Sequence, residues 1–358
     1  MAMIETPVDP AQVEGFMGRV MSMYAGAMLN YMIDIGHRTG LLAAAADGAA
    51  TSEELAGRAG LTERYVREWL ATMVSGGIVE YDPPTRTYTL PPAHAACLID
   101  GRGPINLAPF AAFQTHLAKH VHQVARAFKE GGGVPYAEYR PEFTDVMDGA
   151  SRGFLDAFLL DYCVPLVPGL ADRLTAGGRV ADVGCGTGHA LVLLGRAYPQ
   201  STFVGYDIDD AALARGRAEA AGAGLTNVRY EACDAARLVV DEPFDAIFVF
   251  DAVHDQVDPA RVLRRIHDAL RPGGFFVMKE PHAADALEDN LLNPMAPILY
   301  GCSTLHCLPI SLAHGGAGIG TMFAEGLARQ LLADAGFTGI DVHPVAGDPA
   351  DAVYVCTK

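Results

Sequence analysis

Apolar residues recur along the chain at two different periods, and the change from one to the other divides it. Between residues 11 and 35 they fall at helical spacing, at Val13, Phe16, Met17, Val20, Tyr24, Met28, Tyr31 and Ile35, which predicts one long helix. Met21, Met23, Ala25, Ala27 and Met32 occupy its other side. A helix apolar on most faces must be covered, either within its own subunit or by a partner. Shorter helical patterns follow over 40–46, from Thr51-Ser52-Glu53-Glu54 onward, and over 62–75. In the second a hydroxyl followed by Glu marks a capped start; in the third Tyr65, Val66, Trp69, Leu70, Met73 and Val74 share one face. Gly76-Gly77 stops that helix, and 78–81 with 87–90 read as a hairpin around Asp82-Pro83-Pro84-Thr85. Three helices and a β-wing describe a winged helix. From 104 to about 169 the pattern stays mainly helical, with a flexible joint at Gly131–Pro135.

The second half alternates short apolar runs with amphipathic helical segments. Strands are predicted over 179–183, 202–206, 228–232, 244–250 and within 271–280. The helical patterns include one that runs from Ala190 to a stop at Pro199, and one over 259–270. This alternation is the signature of a parallel α/β sheet. Residues 282–320 are apolar but rich in Gly and Pro, a poor helix and a good lid. A last amphipathic helix over 323–335 ends at Gly336, and 339–343 with 353–357 predict an antiparallel pair at the sheet edge.

With 358 residues, half of them hydrophobic and 19% charged, the chain has room for two domains and a large core. No apolar run reaches the ~20 residues that span a bilayer. The first ten residues lack a basic segment followed by an apolar one, so no signal peptide is expected. Seven cysteines without regular spacing point to the reducing cytoplasm rather than a disulfide framework. The net charge of −17 disfavours nucleic acid, whose binding is largely phosphate neutralisation. The winged helix offers no local exception: residues 48–90 carry Glu53, Glu54, Glu63, Glu68, Glu80 and Asp82 against Arg58, Arg64, Arg67 and Arg86.

The candidate chemistry centres on R-V-A-D-V-G-C-G-T-G-H-A, residues 179–190. A strand breaks into glycines at Gly184, Gly186 and Gly188, which lets the backbone approach a ligand and adopt positive φ. The dinucleotide pattern G-x-G-x-x-G differs in two ways. The third glycine here comes one residue early, and Asp182 precedes the first by two. A carboxylate beside the loop repels pyrophosphate and attracts a ligand with an ammonium group.

D-V-G-C-G-T-G resembles the first motif of class I S-adenosylmethionine-dependent methyltransferases, and the following segments agree with it in order and spacing. The resemblance implies a Rossmann-like α/β sheet of seven strands, the last pair antiparallel, behind an N-terminal, mainly helical winged-helix domain. It divides the chain into 1–100 for dimerisation, 101–170 as connecting helices contributing to the cavity, and 171–358 for the cofactor, with a lid around 282–320. It implies S-adenosylmethionine as cofactor and S-adenosylhomocysteine as product. Asp182, Gly184, Cys185, Gly186 and Gly188 would surround the methionine part, Asp207 and Ile208 the ribose, and Asp234 and Ala235 the adenine. Phe250, Asp251 and Ala252 would line the methionine arm.

The layout is similar to plant-type small-molecule O-methyltransferases and to an actinobacterial methyltransferase group with an N-terminal winged helix. Such enzymes often pair through their N-terminal helices, so a homodimer is expected. Phe143 to Met147 with Ser151 matches a helix that lies over cofactor and substrate in the plant group. Met147, Tyr300, His306 and Met322 are the candidate acceptor pocket. His254-Asp255 resembles the plant His-Asp pair and is the candidate catalytic couple, with His254 as base or merely as a cap; His306 or His282 would be the substitutes. No metal is expected: His116, His120 and His122 lack acidic or thiol company, and Cys302, His306 and Cys307 lack a second cysteine pair. The expected function is methyl transfer to a small-molecule acceptor, oxygen-directed. A cofactor-responsive DNA-binding regulator and a cofactor-binding protein that no longer transfers methyl are the alternatives.

Overall fold

The structure is a computed structural model describing residues 8–103, 106–345 and 351–358. The first seven residues, which carry much of the signal-peptide expectation, and Pro104, where the connecting segment was expected to begin, lie outside the described residues. The chain divides into two compact units, 1–115 and 116–358.

In the first unit a single helix runs from Pro10 to Arg38, capped by the Asp9 side chain, which accepts from Ala11 N. Met32 and Ile33 near its end pack against the core of the unit, but Val13, Phe16, Met17, Met21, Met23, Tyr24 and Met28 are exposed, and only Asp34 and Gly36 are buried. Packing within the chain therefore does not account for its greasy surface. Helices Leu41–Ala46, Ser52–Ala59 and Glu63–Ser75 follow. The second has the anticipated capping box, Thr51 and Glu54 each bonding the other's backbone. Val66, Trp69, Leu70 and Met73 bury the apolar face of the third, and Trp69 Nε1 donates to Met32 O at 2.7 Å. The wing is β1 (Glu80–Asp82) paired antiparallel with β2 (Thr87–Thr89). Among the described residues no helix is long and apolar enough to cross a membrane.

The second unit holds one seven-stranded sheet. Its strands are β3 (Arg179–Val183), β4 (Thr202–Asp207), β5 (Val228–Ala232), β6 (Phe244–Phe250), β7 (Leu270–Pro281), β8 (Thr338–Pro344) and β9 (Asp351–Thr357). The order is β5-β4-β3-β6-β7-β9-β8, parallel from β5 to β7 and antiparallel over the last two pairings. The central strands are buried on both faces, as apolar runs such as Phe244-Asp-Ala-Ile-Phe-Val-Phe250 require. One face carries Val262, Leu263, Ile266 and Phe323; the other carries Leu155, Leu159, Leu191 and Leu194. The chain leaves β3 to one side for β4 and β5 and to the other for β6 and β7. The order reverses at β3, the point where ligands bind in open α/β sheets.

The segment read as a poor helix is largely helical. Ala296–Cys302, Ser303–Cys307 and Leu308–Leu312 follow one another without a break, the middle piece being a π-turn. Two features override its low propensity. Leu299, Cys302, Cys307 and Ile310 are buried, and the wider π-turn just before Pro309 relieves the clash a proline imposes on the preceding turn.

Candidate active site

β3 ends at Val183, and the loop after it holds Gly184, Gly186 and Gly188 at φ 77°, 54° and 69°. Two of these need glycine for different reasons. A side chain at Gly186 would meet no atom within 4 Å, so the backbone there borders open space. At Gly188 a Cβ would fall 2.2 Å from the Tyr230 ring, whose hydroxyl donates to Gly188 O. The loop thus borders a cavity on one side and is packed tightly on the other.

That cavity has a volume of about 630 Å³, in the range of small-molecule sites. Of the residues singled out in the sequence, its wall includes Asp182, Gly184, Cys185, Gly186, Asp207, Ile208, Asp234 and Ala235, then Phe250, Asp251, Ala252, Asp255 and Met147. Gly188, His254, Tyr300, His306 and Met322 are not on the wall. The 282–320 segment contributes Ile310 and His314 instead of Tyr300, which is 37% exposed.

Asp207, at the end of β4, is tied to the glycine loop: one carboxylate oxygen accepts from Gly186 N at 2.7 Å and the other from Asp209 N at 2.9 Å. Each oxygen keeps a lone pair for a ligand hydroxyl. Burial raises its pKa. Asp182 is only 2% exposed, and its Oδ1 has no hydrogen-bond partner among the described residues. Burial, and then the nearby charge of Asp207, push its carboxyl up to about 8. An unpartnered buried carboxylate is costly unless a ligand cation or donor completes it. Asp234 caps the short turn Ala235–Arg237 through Ala236 N at 2.9 Å. Asp251 holds φ 53°, a strained value for a residue other than glycine. Its carboxylate lies 2.7 Å from Lys279 Nζ, and Lys279 also pairs with Asp351. Burial opposes the lysine charge, but those two carboxylates hold its pKa above the ordinary value.

The helix Glu142–Phe158 brings Phe143, Met147 and Ser151 to the wall together. Ser151 Oγ donates to Met147 O at 2.8 Å, so its hydroxyl is engaged by its own helix. Phe143 stacks on His306 with ring centroids 3.9 Å apart. Tyr136, which the sequence reading passed over as a pocket residue, is on the wall as well. Burial, followed by the charges of Asp207, Asp209 and Asp255, raises its hydroxyl pKa.

His254 sits behind the wall. It is 4% exposed, its Nδ1 is hydrogen-bonded to Glu280, and its Nε2 lies 3.1 Å from Asp255 Oδ1. Glu280, on β7, is itself fixed by Val253 N at 2.6 Å and Ala252 N at 3.2 Å. Burial disfavours the imidazolium, but Asp255 and Glu280 outweigh it and hold the His254 pKa well above its ordinary value. Burial would raise Asp255, but His254 pulls it down to about 2. His306 is driven the other way, to about 4, by burial. His282 lies apart from these, paired with Glu325 at 2.9 Å. The sequence reading missed Glu280. It lies 26 positions from His254, and only the pairing of β6 with β7 brings the two together.

Known proteins bear on this geometry directly. A methyltransferase-domain family matches residues 174–308, and an Rv2258c-like winged HTH domain matches 27–100. Trans-aconitate 2-methyltransferase of Deinococcus radiodurans is 30% identical over 185 residues, covering 50% of this chain and 67% of that protein. The chain belongs to the class I S-adenosylmethionine-dependent methyltransferases. It spans less of other relatives: the ubiquinone/menaquinone biosynthesis C-methyltransferase of Geobacter sulfurreducens is 33% identical over 112 residues, 30% of this methyltransferase and 43% of that one. Among solved structures, one from Nostoc punctiforme described as an O-methyltransferase superposes with a TM-score of 0.71 at 16% identity, covering 99% of this chain and 100% of that one. Mitomycin 7-O-methyltransferase gives 0.68 at 18% identity, covering 98% and 100%. Human N-acetylserotonin methyltransferase, solved with S-adenosylmethionine, gives 0.66 at 18%, covering 100% and 99%. At these identities the structural likenesses concern the fold.

S-adenosylmethionine is the cofactor of this enzyme class, and the cavity fits it. The orphaned oxygen of Asp182 suits an ammonium group, the spare lone pairs of Asp207 suit a ribose diol, and the open side of Gly186 leaves room for a ligand against the backbone.

Proposed function

We propose that this methyltransferase methylates a hydroxyl on a small neutral or aromatic acceptor. The observation that carries the reading is a carboxylate, Asp255, on the wall of the same cavity as the cofactor residues and backed by a buried imidazolium. The same cavity is lined by Tyr136, Phe143, Met147 and Ile310, side chains suited to an uncharged ring.

S-adenosylmethionine supplies an electrophilic methyl group. The residues of this chain hold it through Asp182, Asp207 and Asp234, orient the acceptor against Phe143 and Met147, and keep water away. Positioning of this kind is worth about 7–11 kcal/mol when two reactants are aligned. Asp255 takes the acceptor proton on a carboxylate oxygen. An oxygen becomes far more acidic as it is alkylated, so a carboxylate as weakly basic as Asp255 suffices. His254, pinned by Glu280, fixes the orientation and charge of Asp255 and does not meet the acceptor. We give His254 this positioning role rather than that of the base because its Nδ1 is bonded to Glu280 and its Nε2 faces Asp255 at 3.1 Å.

The winged helix supports a structural role rather than DNA reading. On its third helix Arg67 pairs with Glu63 at 2.7 Å and Arg64 with Glu68 at 2.5 Å, so both arginines already face an acid of their own helix. The exposed apolar surface of Pro10–Arg38 supports a homodimer built on that helix. The seven cysteines, all unpaired thiols, suit a reducing cytoplasm.

The test is a panel of phenols, alcohols, amines and carboxylic acids, with S-adenosylhomocysteine formation followed by mass spectrometry. Hydroxyl acceptors should turn over. Asp255→Asn should then cost about 10²–10⁴-fold in kcat with cofactor affinity unchanged. Turnover confined to amines or carboxylates, or full activity in Asp255→Asn, would contradict the reading.

A further inference from the structure

Local spacing along the sequence offers no complete set of metal ligands. Folding joins residues more than fifty positions apart. His254 and Asp255 from the loop after β6, and Cys307 from the π-turn, bring one ligand atom each to within 4.8 Å of one another. We propose that His254 Nε2, Asp255 and Cys307 Sγ form a binding site for a zinc-class divalent ion, its fourth corner open to the acceptor cavity.

Three features support this. Zinc with arms of about 2.0–2.3 Å in tetrahedral array separates its ligand atoms by roughly 3.3–3.7 Å, so a trio already within 4.8 Å needs only small side-chain movements to close. Next, His254 has the arrangement of a metal-binding histidine: Nδ1 is bonded to a carboxylate, Glu280, which is itself locked by two backbone amides. That bond fixes the ring and leaves Nε2 facing the cluster. Finally, His254 Nε2 and Asp255 Oδ1 already lie 3.1 Å apart, close to the separation of two ligand atoms on one such ion.

The donor set, one imidazole, one carboxylate and one thiol, selects zinc, cobalt or a similar ion over magnesium or calcium. Three protein ligands and an open position are the form of catalytic rather than structural zinc sites. Asp255 reaches the cavity wall, so the open corner faces the acceptor. His306 flanks it, with Nδ1 3.7 Å from Cys307 Sγ and 3.8 Å from Asp255 Oδ2. Binding the ion displaces the His254 and Cys307 protons to solvent and makes Asp255 a ligand. The acceptor hydroxyl is then bound as its anion with its proton released to solvent, the ion taking over the activation that Asp255 performs without it. This rests on the acceptor reading above and deepens it.

The test uses the full-length protein, stripped with a chelator and titrated with cobalt(II) under an absorption spectrometer. One cobalt per chain is expected, with a thiolate-to-cobalt charge-transfer band that Cys307→Ser removes and visible bands of a four-coordinate ion that Asp255→Asn weakens at least tenfold in affinity. Calorimetry with S-adenosylmethionine on each variant reports whether the fold and the cofactor site survive. No saturable binding, or binding with the same spectrum in Cys307→Ser and Asp255→Asn, overturns the site as an adventitious surface ion only. If the wild type fails to bind S-adenosylmethionine, it is the methyltransferase assignment that fails, whatever cobalt does.

Discussion

Asp182 is held in the protonation state its solvent would not give it. In the folded protein its carboxyl titrates near 8, raised by burial and then by Asp207, against about 3.9 when unfolded. A carboxyl with a raised folded pKa binds more protons folded than unfolded, so stability is lost as pH rises through the window from about 4 to 8. Asp182→Asn removes that loss. Thermal denaturation at pH 8 should show the variant more stable than the wild type, while its affinity for S-adenosylmethionine falls. The wild-type affinity itself should increase from pH 6 toward 8, by at most about tenfold per unit, because a cation favours the ionised carboxylate. Calorimetry across that range measures it, and a flat profile would mean that Asp182 does not meet the ammonium group. The sequence showed this residue clearly, since an acid two positions before a glycine loop is a local feature. Glu280 and Cys307 were not legible in the same way, because their meaning depends on His254 and Asp255, which only the assembled sheet and the π-turn bring beside them.

At the scale of elements, the glycine loop works because it is pinned from both sides. Asp207 accepts from Gly186 N, and Tyr230 closes over Gly188. Gly188→Ala would place a Cβ 2.2 Å from Tyr230 at φ 69°. Overpacking and left-handed strain together should cost about 2–4 kcal/mol in denaturant unfolding. Gly153→Ala is the control: it sits within the helix Glu142–Phe158 with nothing within 4 Å of a new Cβ. It should stabilise by about 0.5–1 kcal/mol. Equal effects would show that the loop's packing is not what restricts it. The strands were legible because buried parallel strands are continuous apolar runs. The 296–312 helix was not, because tertiary burial of Leu299, Cys302 and Ile310 offsets the Gly and Pro content that local propensity weighs.

For the whole molecule, the surface of Pro10–Arg38 is the feature a single chain leaves unexplained. Phe16, Met17, Met21 and Tyr24 are all more than half exposed, and such contiguous apolar patches mark interaction surfaces. If two copies pair through this helix, the double substitution Met17→Glu and Met21→Glu should convert a dimer into a monomer in light scattering. Cofactor affinity should be unaffected, since the residues assigned to the cofactor lie in the 116–358 unit. A wild type that is already monomeric would remove the dimer from the account. The long apolar pattern in the sequence demanded a cover; what it lacked was any sign of whether the cover was internal.

The central claim is that the cavity beside β3 is a cofactor site for S-adenosylmethionine. Its most direct test is calorimetric titration of the purified protein with S-adenosylmethionine, S-adenosylhomocysteine and NAD, beside the Asp207→Ala variant. Both sulfur nucleotides should bind at one per chain and NAD should not, and Asp207→Ala should weaken them by roughly 1–3 kcal/mol, the cost of leaving buried polar partners unpaired. Binding of NAD in their place, or unchanged affinity in Asp207→Ala, would contradict the account.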